Sequence, residues 1–342
     1  MIRKNKKGII EIQFNWIFVL IAGFIIFLFI ISIINSQKKQ SDQTLNIDIM
    51  SLITTEIKNK QQIFNSYNEI HTTSVYDLQF SCDKDTKQAG IYIKGTEGNI
   101  ELPTEVLFTT TKLSTNNIII WTSDFSTPFT VTRFMFITSP GTAFLIYNDS
   151  ANQYAKQIYY DLPANITKIY VNSFAPDISS SSILKQTKAF KNYHIICFDD
   201  DCPANKYNYL RITPSPDNGL YSYGDLAYHR AGVPTDALSK YVTKSSLFGA
   251  IFSDSRDFYE CEVARAYDQM NLKGSLHLTR MKLLTDNPDI DPDCVTYFAG
   301  PQAILSDMKS LSIKDVSTLY ADTNELSMDN RNLEDKGCPQ IY

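Results

Sequence analysis

The chain lacks the local signatures of several common catalytic centres. Gly-x-Ser-x-Gly, His-Glu-x-x-His, the Walker phosphate loop and Gly-x-Gly-x-x-Gly are all absent. Their absence lowers the expectation of an enzyme, leaves open a site assembled from distant residues, and assigns no catalytic residue. Histidine is scarce, with His71, His194, His229 and His277 only. None has a second histidine or a thiol nucleophile at motif spacing, and strand alternation puts His194 and Cys197 on opposite faces. An excess of basic residues is missing as well. The chain carries −5, and the first 35 residues hold four cations and one acid, a net +3, which leaves −8 for the remainder. A surface that acidic offers no footprint for nucleic acid, which needs clustered Lys and Arg. No internal repeat recurs at a solenoid period.

What is present starts with one long apolar run. From Phe14 to Ile34 there are 21 residues without a charge. At about 1.5 Å per residue a helix of that length covers roughly 30 Å, the hydrocarbon thickness of a bilayer. Secretion signals have shorter apolar cores and end in a small-residue cleavage site. Here Asn35, Ser36, Gln37, Lys38 and Lys39 follow, so a retained anchor is expected rather than a signal removed behind the run. Arg3, Lys4, Lys6 and Lys7 precede the span, and residues 1–13 are expected in the cytoplasm with the remainder outside, at a plasma membrane. Trp16 takes the place of an interfacial aromatic.

The stretch Lys6-Lys7-Gly8-Ile9-Ile10-Glu11-Ile12-Gln13-Phe14 resembles the processing region of archaeal type IV pilin-like proteins. That family carries basic residues, a Gly at the cut, a Glu five residues on, then Phe and an apolar helix. The resemblance covers about the first 35 residues, and it differs in having Gln13 where the family has its acid, with Glu11 nearby. It implies cleavage between Gly8 and Ile9, leaving the apolar helix on the mature protein. The whole chain also resembles single-pass surface proteins of small archaea.

All six cysteines, Cys82, Cys197, Cys202, Cys261, Cys294 and Cys338, lie beyond the span. An even count on the outer side reads as up to three disulfides. The close pair Cys197 and Cys202 suits a local bridge. Two helices meeting near Gly274 would form an antiparallel hairpin bringing Cys261 to Cys294, which makes that bridge the preferred long-range pair and leaves Cys82 and Cys338. The sequons at Asn148 and Asn165 fit a glycosylated exterior.

With 43% hydrophobic residues, 20 Tyr and 20 Phe, the remainder is expected to fold. Residues 35–70 read as a helical stalk with an apolar face at Ile49, Leu52, Ile53, Ile57 and Phe64. Residues 71–244 read as β-rich passing into α/β. GIYIKGTEGNIEL suggests a hairpin, IIIW and YHIICF suggest central strands, and a short helix is expected over 179–190. Residues 245–342 read as helical, including segments around Pro301–Ser310 and Val316–Leu333. The expected class is therefore α/β or α+β.

Two acidic runs are candidate cation sites. Asp199, Asp200 and Asp201 follow an apolar strand, where ligands of open α/β sheets bind. Asp289, Asp291 and Asp293 alternate in a second run suited to Ca2+, without the Gly and Glu of an EF-hand. The preferred readings are plainer: an acidic turn closed by a Cys197–Cys202 bridge, and a polar interhelical loop. Tyr221, Tyr223 and Tyr228 would line a binding face or pack across strands. The expected role is a membrane-anchored surface component, a pilin-like subunit included, with the lipid bilayer and neighbouring copies or surface proteins as partners. The alternatives are a tethered receptor for a solute or glycan, and an exterior metal-dependent hydrolase or transferase.

Overall fold

The computed structural model describes residues 7–61, 66–94, 99–147, 153–171, 190–198, 202, 207–216 and 218–342. The chain divides into two compact units, Met1–Leu52 and Ile53–Tyr342. The first is the greater part of helix α1 (Lys7–Gln61). Within it, Trp16–Lys38 is long and apolar enough to cross a membrane, and its large apolar side chains are exposed. Exposed Phe, Ile and Leu along a whole helix are stable only against an apolar surround.

The second unit is α+β, with two six-stranded mixed sheets. It opens with the last turns of α1, where Ile53 and Ile57 are buried. The helix expected over 35–70 is described as far as Gln61, Phe64 lies outside the described residues, and residues 67–70 belong instead to strand β1 (Tyr67–Cys82). Its β-branched and aromatic residues favour extension, and alternate burial of Tyr76, Leu78 and Phe80 gives the strand its inward face.

The first sheet runs β3-β2-β1-β5-β6-β4. Its members are β2 (Ala89–Ile93), β3 (Ile100–Glu101), β4 (Val106–Phe108), β5 (Lys112–Ser126) and β6 (Thr130–Thr138), with β1. The β2–β3 hairpin is antiparallel, and β5, which carries IIIW, is central. The second sheet runs β12-β11-β10-β9-β7-β8. It consists of β7 (Thr142–Tyr147), β8 (Thr167–Val171), β9 (Asn192–Phe198), β10 (Tyr209–Pro214), β11 (Tyr223–His229) and β12 (Ala237–Val242). Strands β8, β7, β9 and β10 are parallel, and α2 (Gln153–Asp161) is the crossover from β7 to β8. The helix expected over 179–190 lies, but for its last residue, outside the described residues.

Helix α3 (Thr243–Phe252) joins the two sheets. Ser245 through Phe252 are all buried, as expected of a helix apolar on every side. It touches β4, β5 and β6 of one sheet and β9 and β12 of the other. Phe252 shows how: its ring lies 5.2 Å from Phe136 of β6 and 4.8 Å from Phe144 of β7. Four helices complete the unit: α4 (Arg256–Thr285), α5 (Pro292–Tyr297), α6 (Ala299–Met308) and α7 (Val316–Asp335). The segments 71–244 and 245–342 thus belong to one unit.

Gly274 does not stop a helix. It lies inside α4, a single helix of 30 residues capped at its start by Ser255, whose side chain accepts from the Phe258 N–H. A mid-helix Gly costs only about 1 kcal/mol, which packing along α4 offsets. That continuity also corrects the disulfide expectation. Cys261 lies near the beginning of α4 and Cys294 beyond its end, and a helix rises about 1.5 Å per residue, so the two are tens of ångströms apart. Instead Cys261 bonds Cys82 at the end of β1, with Cα atoms 6.0 Å apart, and Cys294 bonds Cys338, at 5.6 Å. The local Cys197–Cys202 bridge is present, at 5.3 Å.

Candidate functional site

A cleft of about 530 Å³ opens beside strands β9 and β10 of the second sheet, with Thr110–Lys112 and Ile251–Asp254 also in its lining. Strand register creates it. Strand β7 pairs with β9 from Asn192 onward, whereas β10 joins β9 only where Leu210 meets Ile196. The first half of β9 is therefore without its β10 neighbour, and the gap opens between Tyr193 and His194 on one side and Tyr209 and His229 on the other.

Along its β10–β11 wall, pairing builds a polar chain. Tyr209 and His229 are cross-strand partners, and their rings stack at 4.4 Å and 13°. The loop after His229 turns at Gly232, where φ is +79°, and returns Asp236 to the imidazole. Asp236 Oδ1 lies 2.7 Å from His229 Nδ1, and Oδ2 accepts from Arg211 Nη2 at 3.0 Å. A carboxylate only accepts, so Nδ1 carries the proton and a neutral ring leaves Nε2 with its lone pair. His229 is only 5% exposed, and Nε2 has no hydrogen-bond partner among the described residues.

The remaining lining divides into occupied and open groups. Asp254 accepts from the Thr111 N–H at 3.1 Å and its hydroxyl at 2.9 Å. Ser253 Oγ donates to the Gly249 carbonyl at 2.8 Å, and Thr110 Oγ1 to that of Lys112 at 3.1 Å. His194 is held neutral, because burial pushes its pKa from 6.5 down to about 4 against the pull of Asp254. Burial, with Asp236 adding to it, raises the Tyr209 phenol above its usual range. Lys112, Lys191 and Arg230 line the cleft and form no ion pair among the described residues. The cleft can therefore accept a hydrogen bond at Nε2 and attract negative charge, while the hydroxyls of Thr110, Thr111 and Ser253 are engaged.

The residues singled out from sequence are scattered. Asp199, Asp200, Asp201 and Asn148 lie outside the described residues. Asp291 caps α5, accepting from the Asp293 N–H at 2.9 Å, and Asp289 donates its N–H to Asn287 Oδ1 at 3.0 Å. Among the described residues no three His, Cys, Asp or Glu gather into a group able to hold a metal. Asn165 is exposed in the turn before β8. Gly8, Ile9 and Gln13 lie in the first turns of α1. His71 meets Glu69 at 3.3 Å, and the His277 ring packs 4.6 Å from Phe129.

Tyr228 reaches the Ala250 carbonyl from the core, and Tyr223 packs on Tyr320 at 5.4 Å. Tyr221 donates to Asp161 and carries Lys244 over its ring, beside a shallower hollow of about 450 Å³. The His229–Asp236 pair had no motif to reveal it. Its only trace in the sequence is a Gly-Val-Pro turn, Gly232 to Pro234, between two strand-like runs. The chain matches no protein-family model, no curated protein and no solved structure, so the reading of the cleft rests on its own geometry.

Proposed function

We infer that the protein is a single-pass membrane protein with its N-terminus in the cytoplasm and its disulfide-bonded α+β unit outside, serving as a surface component. The observation that carries this reading is the combination of an exposed apolar helix at Trp16–Lys38 with three disulfides, every one of them beyond it. Disulfides persist in oxidising surroundings, and the Arg3, Lys4, Lys6 and Lys7 cluster favours the cytoplasmic side. The pilin-like reading adds trimming between Gly8 and Ile9, after which α1 would serve as assembly helix between copies. Protease added to intact cells should remove a C-terminal epitope and spare an N-terminal one; the reverse pattern sinks the topology. Intact mass of the membrane-extracted protein, beginning at Ile9, would support pilin-type processing, and a start at Met1 or Ile2 a plain anchor.

A second reading, a tethered receptor for a solute or glycan, is favoured by the cleft. A hollow of about 530 Å³ is within the size range of small-molecule sites, and a buried unpartnered acceptor in it is a group a ligand would satisfy. The hydroxyls of Ser253 and Thr110 donate to backbone carbonyls, which cannot take up a proton as a general base would.

A further inference from the structure

The receptor reading can be taken to a ligand class, because the cleft combines two demands that few ligands meet together. The first is a hydrogen-bond donor. His229 Nδ1 is committed to Asp236, which is itself fixed by Arg211, so the imidazole cannot turn away without breaking its bond to a held carboxylate. Its Nε2 is buried and has no partner among the described residues, and an unsatisfied buried acceptor costs about 1–3 kcal/mol. A hydroxyl of a bound molecule removes that cost.

The second demand is negative charge. Lys112, Lys191 and Arg230 all line this one hollow, and among the described residues the one acid lining it, Asp254, is already held by Thr111. On a chain whose portion beyond the first 35 residues sums to −8, from −5 overall less +3, this is a local reversal of sign. Such a cleft concentrates anions from a distance. Tyr193, exposed at the rim, and Tyr207 supply flat apolar surface of the kind that receives a sugar ring.

We propose that the β9/β10 cleft binds an anionic sugar, with His229 Nε2 accepting from a ring hydroxyl and Lys112, Lys191 and Arg230 facing the acidic group. This rests on the receptor reading and narrows it. Galacturonic acid represents a carboxylated sugar and glucose 6-phosphate a phosphorylated one.

The test is calorimetric titration of the full chain in detergent with galacturonic acid, glucose 6-phosphate, glucose and inorganic phosphate. At least one anionic sugar should bind saturably, and at least about tenfold more tightly than glucose or phosphate, the equivalent of one hydrogen bond or charge contact. His229→Ala should weaken it about tenfold, and His229→Gln, whose amide oxygen still accepts, should recover most of that loss. If His229→Ala melts earlier, Lys191→Glu with Arg230→Glu carries the test on the surface, and unchanged affinity in that pair overturns the proposal. Glucose binding as tightly as the acids overturns the ligand class while sparing the receptor reading. Phosphate binding as tightly as glucose 6-phosphate overturns it too, leaving a plain anion site. No binding of any probe defeats both.

Discussion

Glu262 and Arg265 are the most consequential buried charges in the described fold. Glu262 Oε2 accepts from the Leu107 N–H at 3.2 Å and from Arg265 Nη1 at 2.7 Å, and Arg265 also donates to the Leu102 carbonyl. The pair thereby fastens α4 to the chain entering β4. Burial pushes the Glu262 carboxyl from 4.5 up to about 7, against the pull of Arg265 and the Leu107 N–H. Between those values the unfolded chain has released the proton and the folded chain has kept it. Stability from this group therefore falls as pH rises from about 4.5 to 7 and is level on either side. Glu262→Gln should be less stable than the parent, with a deficit largest near pH 4.5 and shrinking toward pH 7.5, read from urea midpoints in detergent. A deficit constant across that range would refute the titration. Neither residue was marked by its sequence context, since an i, i+3 Glu–Arg pair on a helix is ordinarily a solvated pair. His229 was passed over for the same reason: its partner comes from a turn, and its lone pair matters only because the strands bury it.

At the scale of elements, α3 depends on closeness. A Cβ built on Gly249 would meet the Phe108 ring at 2.9 Å, so the glycine lets the helix seat directly on β4. Gly249→Ala gains about 1 kcal/mol of helix propensity but forces the ring aside, at about 1–3 kcal/mol. We expect a net loss near 1 kcal/mol, measured by thermal melting, and partial rescue by Phe108→Leu; a variant melting higher than the parent would contradict the packing. Strands were the most readable elements, because IIIW in β5 and YHIICF in β9 are continuous apolar runs that suit the middle of a sheet. Helix α3 was half-seen, since being apolar all round it has no one-sided stripe to detect. The break expected at Gly274 failed because packing along α4 outweighs a single weak helix former.

At the scale of the molecule, two of the three disulfides tie sequence-distant parts of the second unit together. Cys82–Cys261 closes a loop with a sequence separation of 179, Cys294–Cys338 one of 44, and Cys197–Cys202 one of 5. In the chain-entropy account the first two contribute about 4–5 kcal/mol each and the last about 2. Replacing Cys82 and Cys261 together by Ser should therefore lower the urea-unfolding free energy by more than replacing Cys197 and Cys202. Non-reducing peptide mapping should recover these three pairs, and a Cys261–Cys294 peptide would contradict the fold.

The sequence by itself determined an apolar helix at the N-terminus, a mixed α and β body after it, and a local Cys197–Cys202 bridge. Those are short-range properties: run length, periodicity and a five-residue spacing. Only the tertiary structure decided the long-range disulfides, the joining of two sheets through α3, and the cleft with His229 against Asp236. These depend on strand register and on which helices run unbroken, and both are settled by packing among residues far apart in the chain.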